Sequence, residues 1–210
     1  NIQAPVGDIS PDGKYLLIIT DSVTIIDYET EAVVKKLSVP CVYPNLRYFP
    51  DGKRIIYHHQ KASVPGFDSL LVFYDFLKDE YTYLDLNYFP RSLATSPDGK
   101  YFATGGSWKE KVGIDEKYFT YLTLWDAVTL KPIKELGKFE GNNEVRSIKF
   151  SPDGKYVCFY TYEVNIYNIE ELKFVRKYDY NNTEYPPSAF CFLPNNLIAI
   201  TSFANGQDGI

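Results

Sequence analysis

Short apolar or alternating runs, divided by clusters of polar turn residues, follow one another along the whole of this 210-residue chain. No stretch keeps the 3.6-residue period of an amphipathic helix, so the pattern predicts β-strands from end to end. The runs are placed around one recurring turn. Ser-Pro-Asp-Gly-Lys-Tyr occupies residues 10–15, 96–101 and 151–156, a variant Phe-Pro-Asp-Gly-Lys-Arg stands at 49–54, and Leu-Pro-Asn-Asn-Leu stands at 193–197. With Gly13, Gly52, Gly99, Gly154 and Asn196 as markers, the spacings are 39, 47, 55 and 42 residues. Their mean of about 46 is a propeller-type period.

The turn has a mechanical reading. Proline presets φ near −65°, aspartate stabilises the turn locally, and glycine supplies the left-handed residue that closes a tight hairpin. Asn196 takes the place of the fifth glycine, and asparagine is well suited to that conformation. Strand-forming runs precede the turn at 46–49, 92–95, 145–150 and 189–192, and follow it at 15–20, 54–59, 101–104, 156–161 and 197–201. A third run in each repeat ends in an apolar-polar pair: Ile26-Asp27, Tyr74-Asp75, Trp125-Asp126 and Tyr167-Asn168. A fourth follows a short polar turn, at 32–37, 80–86, 132–136 and 174–178.

Four antiparallel strands per repeat predict an all-β fold, a β-propeller of four-stranded blades. An irregular β-sandwich would also show short strands, but it would not repeat one turn sequence at this period. The blades read as 1–38, 39–87, 88–140 and 141–182, with half of a fifth at 183–210. Stopping within a blade, and containing no methionine, the chain reads as part of a larger ring. A compact ring of four or five blades is the alternative.

The third unit, "SPDGKYFATGGS" followed by "YLTLWDAVTLKPIKEL", and the fourth unit's "EVRSIKFSPDGKY" resemble the WD-repeat β-propeller family. The resemblance extends over essentially the whole chain, although only one unit carries the Trp-Asp pair. The Gly-His dipeptide of that family is absent, with Gly141-Asn142 standing near its place. The family's hydrogen-bonded His/Asp/Trp arrangement is therefore not expected intact. The resemblance implies about seven blades in the full ring. It also implies one face on which the loops between second and third strands emerge together with the blade connections. Residues 60–68 and 105–117 are the two long insertions at that position. Asn87-Tyr88-Phe89-Pro90, Trp108-Lys109-Glu110-Lys111 and residues 180–187 are then expected to share a face.

Composition narrows the function. A chain that is 45% hydrophobic with 19 tyrosines and 14 phenylalanines is no disordered polypeptide. No apolar run reaches the roughly 18 residues of a membrane span. Net charge is −5, and the basic residues are scattered rather than gathered into a patch, so nucleic acid is not an expected partner. Cys41, Cys158 and Cys191 show no CxxC spacing. They read as buried free thiols of an intracellular protein, cytoplasmic or nuclear, with one disulfide and a spare thiol as the other option.

Catalytic signatures are missing from the sequence: it has no GxSxG elbow, no GxxxxGK phosphate loop and no HExxH. His58 and His59 are the only histidines. Adjacent on a strand, they point to opposite faces and cannot chelate one metal together. No catalytic residue, cofactor or metal is expected. Asn181-Asn182-Thr183 is a glycosylation sequon, meaningful only in a secreted eukaryotic protein.

The candidate binding residues are Tyr88, Phe89, Arg91, Trp108, Lys109 and Arg146. Aromatic and arginine side chains are the commonest anchors of protein partners. Arg91 and Arg146 share one offset, eight residues before Gly99 and Gly154, which places both at inner-strand entrances near the channel mouth. There they would grip an acidic segment. The competing assignment makes Tyr88, Phe89 and Trp108 packing residues and has the arginines satisfy loop carbonyls. The function expected is a non-catalytic scaffold in a multiprotein complex, with proteins or peptide segments, acidic ones among them, as partners. The alternative is a secreted or periplasmic propeller enzyme or ligand binder working in the central channel.

Overall fold

The computed structural model describes residues 6–19, 22–39, 45–60, 69–141, 145–161, 163–179 and 187–202. Blade one consists of β1 (Val6–Ile9), β2 (Tyr15–Ile19), β3 (Val23–Asp27) and β4 (Val33–Lys36). Blade two holds β5 (Leu46–Tyr48), β6 (Arg54–Gln60), β7 (Ser69–Asp75) and β8 (Glu80–Leu86). Blade three holds β9 (Phe89–Thr95), β10 (Tyr101–Val112), β11 (Asp115–Asp126) and β12 (Pro132–Glu140). Blade four holds β13 (Ser147–Phe150), β14 (Tyr156–Tyr160), β15 (Glu163–Asn168) and β16 (Lys173–Asp179). A two-stranded sheet follows, β17 (Pro187–Phe192) and β18 (Ile198–Ser202). Every pairing is between antiparallel neighbours, and the four complete sheets stand in a ring with β1, β5, β9, β13 and β17 adjacent in that order along the inner wall. The chain is thus an all-β propeller of four blades plus a small extra sheet, and β1 is a strand that the run pattern did not pick out.

The repeated turn explains the repeated hairpin. In blade one the Gly13 N–H donates to Ser10 O (2.8 Å), and Ser10 Oγ donates to Asp12 Oδ1 (2.6 Å) while accepting from Tyr15 N (2.9 Å). Blades three and four repeat these bonds around Ser96-Asp98 and Ser151-Asp153. The Ser10 bond, helped by the Lys14 N–H, holds the Asp12 carboxyl below the usual aspartate range, and the Ser151 bond does the same for Asp153. Gly154 has φ 72° and Asn196 has φ 62°, so the asparagine does adopt the left-handed conformation. A Cβ on Gly154 would meet nothing nearer than Pro97 Cδ at 4.0 Å. Replacing Gly154 by alanine therefore costs only backbone strain. We expect Gly154→Ala to lower the unfolding free energy by about 1 kcal/mol in urea titration, with no loss of the blade.

The polar partner of each apolar-polar pair closes the next hairpin. Asp126 Oδ1 accepts from Val128 N (3.0 Å), Thr129 N (2.6 Å) and Thr129 Oγ1 (2.9 Å). Asp27 accepts from Glu29 N, Thr30 N and Thr30 Oγ1, Asp75 from Leu77 N and Lys78 N, and Asn168 from Glu171 N. An aspartate or asparagine at a strand end thus caps a turn through its own side chain.

The core lies between blades. Leu17, Val23 and Ile25 of blade one pack with Leu46, Tyr57 and Val72 of blade two. Phe49, Ile56 and Phe73 meet Leu93, Phe102 and Trp125 of blade three, and Ala103 and Leu122 meet Val145, Ile148 and Val157 of blade four. Phe190 joins Cys158, Tyr160 and Val164 in the last seam. The sheets of blades two, three and four bury both faces against neighbours, which is why their strands carry near-continuous apolar runs rather than a clean alternation.

One expected loop is a strand pair. Residues 105–117 continue β10 and β11 in register from Tyr101↔Asp126 to Val112↔Asp115, closed by Gly113-Ile114 with Gly113 at φ 67°. Glycine at the first of two turn positions is the signature of a type II′ hairpin. Pairing with β9 ends at Ser107↔Phe89 and pairing with β12 at Phe119↔Glu140, so residues 108–118 project from blade three as a two-stranded ribbon. Its tip residue, Ile114, is 96% exposed. The second long insertion, 61–68, lies outside the described residues.

Candidate functional site: the channel mouth

The inner strands position the site. Among the described residues they carry Asp8, Arg47, Arg91 and Lys149, and Arg146 immediately precedes β13. Four cations and one carboxylate line the axis of a chain whose net charge is −5. Among the described residues the inner strands and their entrances thus carry a net positive charge.

Arg91 and Arg146 owe their setting to a shared irregularity. The β9–β10 register passes from Gly105↔Ser92 to Gly106↔Pro90, which leaves Arg91 as the extra residue of a bulge. In blade four the Arg146 N–H donates to Tyr160 O (2.9 Å), although Tyr160 already pairs with Ser147. Bulges re-aim side chains and commonly lie beside sites. Both arginines are exposed. The Arg91 guanidinium stands 5.7 Å over the Phe89 ring, and Arg91 O accepts from Asn45 Nδ2 (2.7 Å), which ties this point to blade two.

Gly105-Gly106 brings the two arginines to one segment. A Cβ on Gly105 would fall 2.5 Å from Val145 Cγ1, the residue before Arg146, and a Cβ on Gly106 would fall 1.8 Å from Phe89 O. These glycines exist for close approach: one seats blade four against β10, the other seats the start of β9. The pair is visible in the sequence, but it reads there as a break.

The remaining candidates divide. Tyr88 is a correction to the expected exposed patch: it is 4% exposed, stacks on Tyr121 at 5.1 Å and 9°, and shares a hydrogen bond with Thr104 Oγ1. Its hydroxyl is pushed upward by burial. Phe89 is half-buried as the first residue of β9, with the His58 ring edge-on at 4.7 Å. Trp108 is half-buried against the seam of blades two and three. Lys109 is exposed, 5.1 Å over the Tyr118 ring and 3.4 Å from Glu116. The structure thus brings Phe89, Arg91 and Trp108 together at the base of the ribbon, sets Lys109 on the ribbon itself and Arg146 on the next blade. Of the third expected segment, residues 180–186 lie outside the described residues, as do the sequon and Cys41.

The ribbon is tied down rather than loose. Lys138 on β12 donates to Glu110 Oε2 (2.7 Å) and lies 4.5 Å over the Phe119 ring, while the Tyr121 hydroxyl donates to the same Glu110 carboxylate. Lys117 pairs with Glu140 at 2.7 Å. Half-exposed pairs of this kind add little stability singly, but they fix the ribbon's direction.

The other titratable groups sit apart from the mouth. His58 is fully buried, with Nε2 2.7 Å from Ser69 Oγ, and His59 is half-buried on the opposite face of β6. Burial pushes the Cys158 thiol up to about 12. Cys191 departs from the expectation of buried thiols: it is free but exposed on β17. Among the described residues no group of three or more His, Cys, Asp or Glu side chains is placed to hold a metal ion. No helix of the described residues is long and apolar enough to cross a membrane.

Residues 133–161 match the family described as "WD domain, G-beta repeat". They run from β12 through the turn of blade four to the end of β14. The solved structure titled "Kuenenia stuttgartiensis Hydrazine Synthase" is similar over 93% of this chain with a TM-score of 0.71 and 19% identity. At that identity the likeness is one of fold. This chain spans about half, 54%, of the length of the hydrazine synthase chain it matches. No curated protein matches the sequence.

Proposed function

We propose that this WD-repeat-like β-propeller is a non-catalytic protein-interaction platform that receives a partner segment at the channel mouth. The observation that carries this reading is the pair of exposed arginines, Arg91 and Arg146, set at irregular points of two inner strands and flanking Gly105-Gly106. Two guanidinium groups displayed by rigid sheets at one opening are suited to bidentate contacts with carboxylates. The ribbon of residues 108–118, with Lys109 on its surface, stands beside that opening and widens the platform. An intracellular setting belongs to the reading, supported by the free thiols Cys158 and Cys191. The enzyme named in the hydrazine synthase title contributes a likeness of fold, and no activity is carried over from it.

The test is stoichiometric partner recovery from the cells that make the protein, followed by identification of the bound chain. We expect the Arg91→Glu, Arg146→Glu double variant to lose the recovered partner while unfolding at the same urea concentration as the wild type. Undiminished recovery would place the contact elsewhere.

A further inference from the structure

The channel wall carries a second charged level below the mouth. Counting five residues back from each turn marker gives Asp8, Arg47, Ala94, Lys149 and Cys191, one on every inner strand and hence at one height. Ala94 is buried in the seam of blades three and four. Of the other four, Lys149 lies within electrostatic reach of Arg47, Asp8 and Cys191.

These groups are unevenly matched. Asp8, the only carboxylate on the described inner strands, already accepts the Tyr48 N–H at Oδ2 (2.8 Å). Arg47 Nη1 donates to Gly7 O (3.1 Å) and Leu46 O (2.6 Å), which fixes the guanidinium plane against the wall. Its other donors have no partner among the described residues. Lys149 is exposed on β13 and has no ion pair among the described residues. Two cations held near each other in a confined space, with one engaged acid, leave an uncompensated positive charge. An anion joining the pair would offset that charge.

We infer that Arg47 and Lys149 form a carboxylate-binding site inside the channel, which receives an acidic side chain of the segment docked at the mouth. This rests on the platform reading above. Arg146, just before β13, stands three residues ahead of Lys149 on that strand, a rise of about 10 Å. An extended segment held at the mouth by Arg91 and Arg146 thus reaches the lower site about three residues further on. The carboxylate fits the planar donors of arginine, and the lysine supplies a mobile point charge.

The state of Lys149 adds a signature. Burial first, and the Arg47 charge second, lower the affinity of this amine for its proton, with Asp8 and Cys191 acting in the opposite sense. A bound carboxylate favours the charged amine, so binding takes up protons, and affinity falls as pH rises in a range below that of ordinary lysine. The readout is made in a Cys191→Ser background to remove the thiol.

The experiment measures binding of a fluorescein-labelled hexaglutamate peptide by anisotropy, with glutarate as the free carboxylate competitor, on the whole chain. We expect Lys149→Gln to weaken the peptide at least tenfold, Lys149→Arg to stay within about threefold of wild type, and glutarate to compete. The Arg91→Gln, Arg146→Gln variant should weaken the peptide and leave glutarate unchanged. Peptide binding that ignores Lys149→Gln but falls with the mouth variant overturns the channel site and keeps the platform. Binding that ignores both sets overturns both. Glutarate binding as tightly as the peptide, with the same Lys149 dependence, overturns the partner-segment assignment in favour of a small free carboxylate.

Discussion

Trp125→Ala is expected to cost about 3–5 kcal/mol, enough to unseat blade three from blade two. Trp125 is 7% exposed and stacks on Phe102 at 5.7 Å with 3° between the ring planes. Phe102 in turn meets Phe73 of blade two edge-on at 5.4 Å, so removing the indole opens a void in the seam rather than at one blade's surface. The indole Nε1 also donates to Thr104 Oγ1 (2.8 Å), the atom that Tyr88 engages from the blade connection. The sequence led us to expect no intact His/Asp/Trp arrangement, and no histidine is present in this one. Its tryptophan instead anchors a Tyr88–Thr104–Trp125 chain that joins the channel-mouth strand to the third strand.

Trp125→Phe separates the two contributions. It keeps an aromatic face against Phe102 and loses the hydrogen bond together with part of the ring, so a loss of about 1–2 kcal/mol is expected. The check is urea unfolding followed by tyrosine fluorescence and by far-ultraviolet circular dichroism. Equal losses for the alanine and phenylalanine variants would show that packing against Phe102 is not what holds the seam. Because stability in a repeat protein is a sum over neighbouring interfaces, the alanine variant should also separate the two probes' transitions.

How far the sequence disclosed this depended on the range of the cause. The turn was legible because its requirements are local: a left-handed residue at Gly13, Gly52, Gly99, Gly154 and Asn196, each preceded by a proline and an acid or amide. The blade order followed from the period. The ribbon was misread because Gly105-Gly106 ends a strand by propensity, whereas here the glycines admit Phe89 O and Val145 from elsewhere in the fold. The alternation from Ser107 to Val112 and the Gly113-Ile114 turn were the available signals. Tyr88 was misplaced for a similar reason, since its burial depends on Tyr121, a residue of the third strand. Of the channel cations, the offset rule found Arg91 and Arg146. It passed over Arg47 and Lys149, because the wall they share with Asp8 and Cys191 exists only once the blades are assembled.

Acidification from pH 6.5 to 4.5 is expected to destabilise the propeller by roughly 2–3 kcal/mol through His58 alone. His58 is 0% exposed, its Nε2 is 2.7 Å from Ser69 Oγ, and the Phe89 ring lies against it. Burial first, with the His59 charge adding to it, lowers its pKa from 6.5 to about 4. Well above pH 6.5 the ring is neutral in both states and contributes no pH dependence. Between 6.5 and 4 the unfolded chain takes up a proton that the folded chain refuses, so each unit of acidification favours unfolding by about 1.4 kcal/mol. The turn aspartates act in another window: their folded values are depressed, so their contribution is lost only as pH falls through the ordinary aspartate value of 3.8 and below. His58→Gln keeps a neutral polar group near Ser69 and removes the titration. Its urea midpoint should therefore be lower than wild type at pH 7 but nearly flat between 6.5 and 4.5, where the wild-type midpoint drops steeply. A variant that keeps the full acid slope would assign the effect to other groups, and would mean that the His58 ring is reached by water and protons at the base of the channel mouth.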